Sequence, residues 1–172
     1  LQYKLSTAPD WNDVGNGNFT FTVSDTFDGT VTVRALDKAG NKLDKDINVK
    51  IDTAAPDTCT LGTVDGQNNI TTKLVNGTSG VVFTFTASDA VGGSGLKSAE
   101  VIKIGNTAPS SAITVTESGG TYTATILNTN FSDSKLANGA VTVRLTDNVE
   151  NTADFALFTL QLDDTSPTVK IN

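Results

Sequence analysis

The stretch VTVRALDKAGNKLDKDINVKIDTAAP, Val31 to Pro56, recurs later in the chain as VTVRLTDNVENTADFALFTLQLDDTSP, Val141 to Pro167. In each copy Val-Thr-Val-Arg opens a strand pattern and an aspartate, Asp37 or Asp147, closes it. An asparagine follows after a short turn, and each copy ends in an acidic linker that runs into proline. A stretch repeated in this way indicates one folding unit used in tandem. The sequence therefore predicts a modular chain.

The segments between turn signals alternate apolar and polar residues, which is the pattern of half-buried strands. The first unit has such patterns at Gln2–Ser6, at Phe19–Val23, from Val31 onward and at Ile47–Ile51. The second unit has them at Thr58–Val64, Val81–Ala87, Lys97–Ile104, Ile113–Thr116, Tyr122–Ile126, Val141–Thr146 and Asp154–Leu162. The one stretch compatible with a helical turn is Ser132–Ala137. Many short strands separated by turn signals predict an all-β fold of antiparallel β-sandwiches.

The repeat predicts a partial domain at residues 1–53, a complete domain at 54–164 and the start of a further unit at 165–172. Tyr3-Lys-Leu5 aligns with Val101-Ile-Lys103, which leaves the first unit without its first strands. A half-sandwich exposes its core face and unpaired strand edges. Two explanations stay open: the missing strands lie upstream in a longer chain, or another molecule donates them. In the second case Thr168–Ile171 is the donated strand, and head-to-tail exchange builds a fibre.

Composition and charge exclude several classes of partner. The net charge is −7, and the acidic balance argues against a surface that binds nucleic acid. The sequence has no apolar run long enough to cross a bilayer and no cleavable leader at Leu1. It contains no Met, so it reads as a piece of a longer protein. The composition is typical of a soluble globular protein.

The sequence offers little for catalysis. It has no His, which removes the usual triads and the common zinc ligands. Paired carboxylates stay open by composition alone, but few aromatic residues are present to line a sugar cleft. The single cysteine, Cys59, alternates with Thr58 and Thr60, which favours a buried apolar role over a reactive thiol. We therefore expect a protein that is not an enzyme.

Three motifs together resemble the bacterial Ig-like repeats of large secreted surface proteins. They are Asp-x-x-Gly-Gly-Ser-Gly-Leu at Asp89–Leu96, Val-Arg-x-x-Asp-x-x-x-Asn in both copies, and Asp-Thr-x-x-Pro at Asp52–Pro56. The resemblance implies tandem Ig-like sandwiches, the first incomplete at its N-terminus, on an extracellular bacterial or archaeal cell surface. It also implies neighbouring repeats of the same protein as partners, with self-association through open strand edges as a further option.

Acidic residues gather at the ends of both units. Hard oxygen ligands near a junction suit calcium, and a bound ion would stiffen the joint between neighbouring units. Similar bacterial repeats use linker acids in this way, and the resemblance implies this metal role for Asp37, Asp52, Asp147, Asp163 and Asp164. The alternative is that aspartates at strand ends make local Asx hydrogen bonds. For Asp89 the turn-stabilising role is the expected one.

Three functions remain open from these observations. The first is a structural spacer in an adhesin or stalk that extends a distal binding region from the cell. The second is a subunit of a self-assembling surface layer or fibre. The third is an accessory module of a secreted polysaccharide-degrading enzyme, for which Trp11 is the one good candidate for sugar stacking. The sequons at Asn18, Asn69, Asn76 and Asn130 are no more numerous than chance gives. The spacer explains the repeat most directly.

Overall fold

The computed structural model describes residues 1–15, 20, 27–76, 78–131, 138–163 and 165–170. The described residues form an all-β protein, with 58% of them in strands and several open antiparallel sheets. A 3-10 turn at Asn128–Phe131 is the helical element that the described residues contain. The prediction of an all-β chain is thus confirmed. The predicted helical turn at Ser132–Ala137 lies outside the described residues, as does the predicted strand Phe19–Val23 apart from Thr20.

The chain divides into two compact units. Unit 1 comprises Leu1–Ala54 with Val91–Ser94, and unit 2 comprises Ala55–Ala90 with Gly95–Asn172. No helix among the described residues has the length and apolar character needed to cross a membrane.

The described residues of unit 1 form one sheet, with the strand order β2-β1-β3-β4 and antiparallel pairing throughout. Its strands are β1 Gln2–Leu5, β2 Asn12–Asp13, β3 Asp28–Leu36 and β4 Lys42–Lys50. The hairpin β3–β4 is the first copy of the sequence repeat. Val31 is fully buried and Phe27 nearly so, whereas Leu43 is 74% exposed.

In unit 2 the described residues form two sheets that face each other in a sandwich-like arrangement. Its strands are β5 Thr58–Val64, β6 Gln67–Asn68, β7 Thr72–Val75, β8 Val81–Ser88, β9 Leu96–Ile104, β10 Thr114–Ser118, β11 Thr121–Ile126, β12 Asn138–Asp147 and β13 Thr152–Leu162. One sheet has the order β10-β11-β8-β5-β6 and the other has the order β7-β13-β12-β9. The strands predicted for the second unit are confirmed within a few residues at each end. The short strands β6 and β7 were not predicted.

The core of unit 2 lies between its two sheets. The fully buried side chains of β8 are Val81, Phe83 and Phe85, which alternate with more exposed residues as the pattern predicts. Phe83 meets Phe158 of the opposite sheet edge to face, with ring centroids 5.2 Å apart. Burying apolar area of this kind is the main favourable term in folding.

Three strands of the unit 1 sheet repeat three strands of one sheet of unit 2. In unit 1 β3 pairs with both β1 and β4, and in unit 2 β12 pairs with both β9 and β13. Tyr3 lies opposite Val33 as Val101 lies opposite Val143. After this point the alignment of β1 with β9 shifts by one residue, because a bulge adds a residue to β9. Leu5 therefore corresponds to Ile104.

The second copy of the repeat is one residue longer than the first, and the structure places the extra residue in β13. The β12–β13 register shifts between Val141, which faces Phe158, and Thr142, which faces Ala156. Leu157 is the residue added by this bulge. As a result Phe158, and not Leu157, occupies the position that Ile47 has in unit 1.

Candidate functional site

The first structural feature that the two copies of the repeat share is the turn that joins β3 to β4 in unit 1. The Asp37 carboxylate accepts hydrogen bonds from the backbone N–H groups of Ala39 (2.8 Å) and Asn41 (2.9 Å) through Oδ1. Its Oδ2 accepts a third from Asn41 Nδ2 at 2.7 Å. The hydrogen bond from the Asn41 side chain, helped by those from the backbone, lowers the pKa of Asp37. This is the Asx arrangement that the alternative interpretation of the sequence predicts.

The turn that joins β12 to β13 uses the same bonds. Asp147 Oδ1 accepts from Val149 N (2.9 Å) and Asn151 N (2.8 Å), and Oδ2 accepts from Asn151 Nδ2 (2.8 Å). Glu150 has a φ of 74°, close to the 87° of Gly40 at the same point of the first turn. The two turns thus share one geometry although one has glycine and the other glutamate. They differ in burial, because Asp147 is fully buried and Asp37 is exposed.

An arginine and an aspartate on neighbouring strands form the second shared device. Arg34 Nε lies 2.7 Å from Asp44 Oδ1 and Arg144 Nε lies 2.7 Å from Asp154 Oδ1, and each arginine donates a second bond through Nη2. The hydrogen bond from its arginine lowers the pKa of each aspartate. A bidentate pair of this kind constrains how the two strands align, and it also brings two opposite charges together.

Trp11 lies against this device in unit 1. The Arg34 guanidinium carbon is 3.7 Å from the centre of the Trp11 ring, and Lys4 Nζ is 5.9 Å from it. Stacking on arginine uses one face of the indole. The contact agrees with a tryptophan that packs on its own sheet.

The remaining acids predicted as metal ligands lie in different settings. Asp52, in unit 1, accepts hydrogen bonds from Ala54 N (3.0 Å) and Ser94 N (2.6 Å). Asp163, in unit 2, follows β13 and accepts one from Thr165 N at 3.1 Å. Asp164 lies outside the described residues.

Asp163 lines a groove of about 390 Å³ with residues that sequence reasoning missed. These are the ion pair of Lys73 and Asp65, with Nζ 2.6 Å from Oδ2. Burial acts to raise the pKa of Asp65, but hydrogen bonds from Lys73 and from the Val82 N–H outweigh it, so the net shift is downward. Lys73 belongs to β7, a four-residue strand that sequence reasoning did not predict.

Asp89 is the acid that unit 2 brings next to Asp147. A carboxylate oxygen of each lies within 4.8 Å of the other. Asp89 also accepts hydrogen bonds from Ala90 N (2.9 Å) and Gly95 N (2.7 Å), as expected for a residue that stabilises a turn. Two carboxylates at this distance repel each other, and a cation between them removes the repulsion.

Cys59 lies in β5 and packs against the core of unit 2. Burial raises the pKa of its thiol to about 11, so the reactive thiolate is scarce at neutral pH. The structure agrees with the apolar role predicted for this residue.

Among the sequons, Asn130 is buried, with 2% of its surface exposed. Its Oδ1 accepts from Leu127 N at 3.0 Å, and its Nδ2 lies 3.3 Å from Ser111 Oγ. Asn69 and Asn76 are exposed, and Asn18 lies outside the described residues. A glycan on Asn130 is therefore incompatible with the fold.

In both units the acids at the turns act first as acceptors for backbone N–H groups. The structure assigns the same task to corresponding residues, Asp37 with Asp147 and Arg34 with Arg144. Comparison of the chain with protein-family models, with curated proteins and with solved structures found no match.

Proposed function

We propose that this chain is a run of non-catalytic Ig-like repeats that serves as a spacer in a large extracellular surface protein of the adhesin or stalk type. In this role the repeats extend a distal binding region away from a bacterial or archaeal cell. Their partners are neighbouring repeats of the same protein. The Ig-like family and the extracellular location in this proposal are taken from the sequence resemblance.

One observation carries the proposal: both units build the same hairpin with the same bonds. The bidentate pair Arg34–Asp44 matches Arg144–Asp154, and the turn at Asp37 matches the turn at Asp147. These polar groups hold strands and turns in place. A chain that repeats one folding unit becomes longer with each added copy, which suits a spacer.

Single-molecule pulling of the intact chain tests the spacer. We expect unit 2 to open in one cooperative event that releases roughly 350 Å of chain, at about 3.5 Å per residue over the strands from Thr58 to Leu162. Phe158→Ala removes a core contact with Phe83, so it should lower the opening force, whereas the exposed change Leu74→Ala should not. Gradual extension with no force peak would contradict a mechanical role.

Self-assembly into a surface layer or fibre is the second candidate, and one observation favours it. Among the described residues the outer edge of β4 pairs with no strand, and such an edge can accept a strand from another molecule. Sedimentation of the chain over a range of concentrations distinguishes the two functions. Head-to-tail growth supports assembly, and a monomer at all concentrations supports the spacer.

An accessory role in a polysaccharide-degrading enzyme has less support. Its sugar-stacking candidate, Trp11, already stacks on Arg34. A sugar would have only the other ring face.

Calcium binding belongs to the same proposal. The acids Asp37, Asp52, Asp147, Asp163 and Asp164 remain the predicted ligands. Within unit 2 the distance from Asp89 to Asp147 favours these two as the place to test first. Asp163 lies in the groove with Lys73 and serves as the comparison.

A further inference from the structure

The sheet of unit 1 has two faces of opposite character. Residues directly opposite each other share a face, so Val31 with Ile47 and Ala35 with Leu43 lie on one side. On this side Leu43 is 74% exposed and Ile47 is 49% exposed. Large apolar side chains exposed on the same sheet face indicate a surface that binds another element.

The other face of the same sheet is polar, and its groups satisfy each other. Arg34 pairs with Asp44, and Thr30 Oγ1 donates to Asn48 Oδ1 at 3.0 Å. Lys50 Nζ lies 3.1 Å from Asp28 Oδ2. The sheet is therefore amphipathic, with one face built for solvent and the other built for a core.

Unit 2 shows what covers the corresponding apolar face. Phe158, the counterpart of Ile47, is 4% exposed, and Leu145 and Leu160, the counterparts of Ala35 and Val49, are fully buried. The covering layer comes from the opposite sheet, where Phe83 contacts Phe158. The same strands, with a layer added, thus form a closed core.

The chemistry of the covering layer follows from β5 and β8. β8 reads Val-Val-Phe-Thr-Phe from Val81, and its buried residues alternate with outward ones. In addition, β7 pairs in parallel with β13 at Thr159–Leu162. The corresponding edge of β4 pairs with no strand among the described residues.

Among the described residues of the sheet, Lys45 is the one charged residue on the apolar face, where it lies opposite Val33. Its counterpart Phe155 is only half-buried in unit 2. The position is therefore at the rim, where the stem of a lysine packs and its amine reaches water.

We infer that the apolar face of unit 1 docks a β-layer with the alternating pattern of β5 and β8, supplied by the same polypeptide. The inference rests on the tandem repeat of the proposed function. The same polypeptide is favoured as the source because in unit 2 the covering strands β5 and β8 belong to the same chain as the sheet they cover. A second copy of the chain is the competing occupant.

A graft tests the inference directly. Gln2 faces Arg34 as Glu100 faces Arg144, so Leu1 corresponds to Ala99. Residues Thr58–Ser98 are therefore duplicated in front of Leu1 of the full chain. Cys59 and its duplicate are changed to Ala, and one new thiol is introduced by Ile47→Cys.

The control thiol is introduced by Leu36→Cys, on the polar face of the same sheet. Leu36 is 47% exposed and Ile47 is 49% exposed, so the two thiols start from equal accessibility. We expect the graft to slow labelling of the Ile47→Cys thiol about tenfold or more, because labelling then requires local opening. Labelling of the Leu36→Cys thiol should change less than about twofold.

Each other outcome counts against the inference. If the graft leaves labelling at Ile47→Cys unchanged, or does not fold on the sheet, the face does not dock this layer. A second graft, with the duplicated Phe83 and Phe85 changed to Ser, should give no protection, and protection there would also overturn it. If labelling in the ungrafted chain slows as its concentration rises, a second copy occupies the face. The pulling experiment on unit 2 is independent of all these results, so failure of the spacer and failure of the docking are distinguishable.

Discussion

Asp37 and Asp147 make the same three hydrogen bonds in the two units, but their surroundings differ. Asp147 is fully buried. If its carboxylate is removed, water therefore reaches the N–H groups of Val149 and Asn151 less easily than it reaches the corresponding groups of unit 1. Asp37 is exposed, so water can accept the hydrogen bonds of its N–H donors when the carboxylate is removed, and little stability is lost. The same residue therefore contributes unequally to the stability of each unit.

We expect Asp147→Ala to lower the free energy of unfolding of unit 2 by about 2 kcal/mol, because it leaves donors at Val149 and Asn151 without their acceptor. Asp37→Ala should have a smaller effect on unit 1. Urea unfolding monitored by circular dichroism measures both. Equal effects of the two substitutions would show that burial does not set the cost.

Glu150 adopts a left-handed conformation that favours glycine. Its φ of 74° corresponds to the 87° of Gly40, and an added side chain at Gly40 would meet nothing within 4 Å. The cost of a side chain in this turn is thus one of backbone conformation.

We expect Glu150→Gly to stabilise unit 2 by about 1 kcal/mol, since the relief of backbone strain exceeds the loss of the exposed Lys97–Glu150 ion pair. The matched change Gly40→Ala should destabilise unit 1. Thermal unfolding of both variants provides the measurement, and a lower midpoint for Glu150→Gly would contradict the assignment of strain.

Sequence reasoning at this scale offered the Asx role of the aspartates that end strands as the alternative to metal binding. The shared turn geometry of Gly40 and Glu150 could not be read from the sequence, because the propensity of one residue does not determine a φ that the surrounding hydrogen bonds impose. Sequence reasoning also missed Asp65 with Lys73, since that pair joins residues on either side of a turn and depends on the unpredicted strand β7.

At the scale of elements, the arginine–aspartate pairs join neighbouring strands in each unit. Their arginines hold the pKa values of Asp44 and Asp154 below those of the unfolded chain. A depressed pKa in the folded state means that the stabilisation is present above the unfolded value of about 4 and is lost as the pH falls through the folded value.

We therefore expect stability to be constant between about pH 7 and pH 5 and to fall below about pH 4. Asp154→Asn should lower the free energy of unfolding of unit 2 at neutral pH. It should also weaken the dependence of that free energy on pH below about pH 4, because the carboxyl with the lowered pKa is gone. Urea titrations at several pH values test this. The idea fails if the variant keeps the full acid dependence of the parent chain.

The strands themselves were largely predictable, because alternation and turn residues are local signals. The bulges were not, since they are seen only when two strands are paired. The bulge at Leu157 lets Phe155 and Phe158 face the same core despite their odd spacing, which simple alternation forbids. The pairing of β7 with β13 was missed for the same reason: a parallel partner far along the chain leaves no local mark.

At the scale of the whole molecule, the calcium hypothesis has a direct test. We expect the thermal midpoint of unit 2 to rise by at least about 4 °C in excess calcium relative to excess chelator, if the ion binds the folded state only. Asp89→Asn should abolish the rise and Asp163→Asn should retain it, because Asp89 lies within 4.8 Å of Asp147. A midpoint that is the same with calcium and with chelator would exclude binding.

The division into two units gives the chain a pair of built-in reporters. Its single tryptophan, Trp11, lies in unit 1, and its single cysteine, Cys59, lies in unit 2. Indole fluorescence therefore follows the first unit while thiol labelling follows the second, with no substitution needed. Whether the two signals change at one urea concentration or at two measures directly how strongly adjacent repeats are coupled thermodynamically.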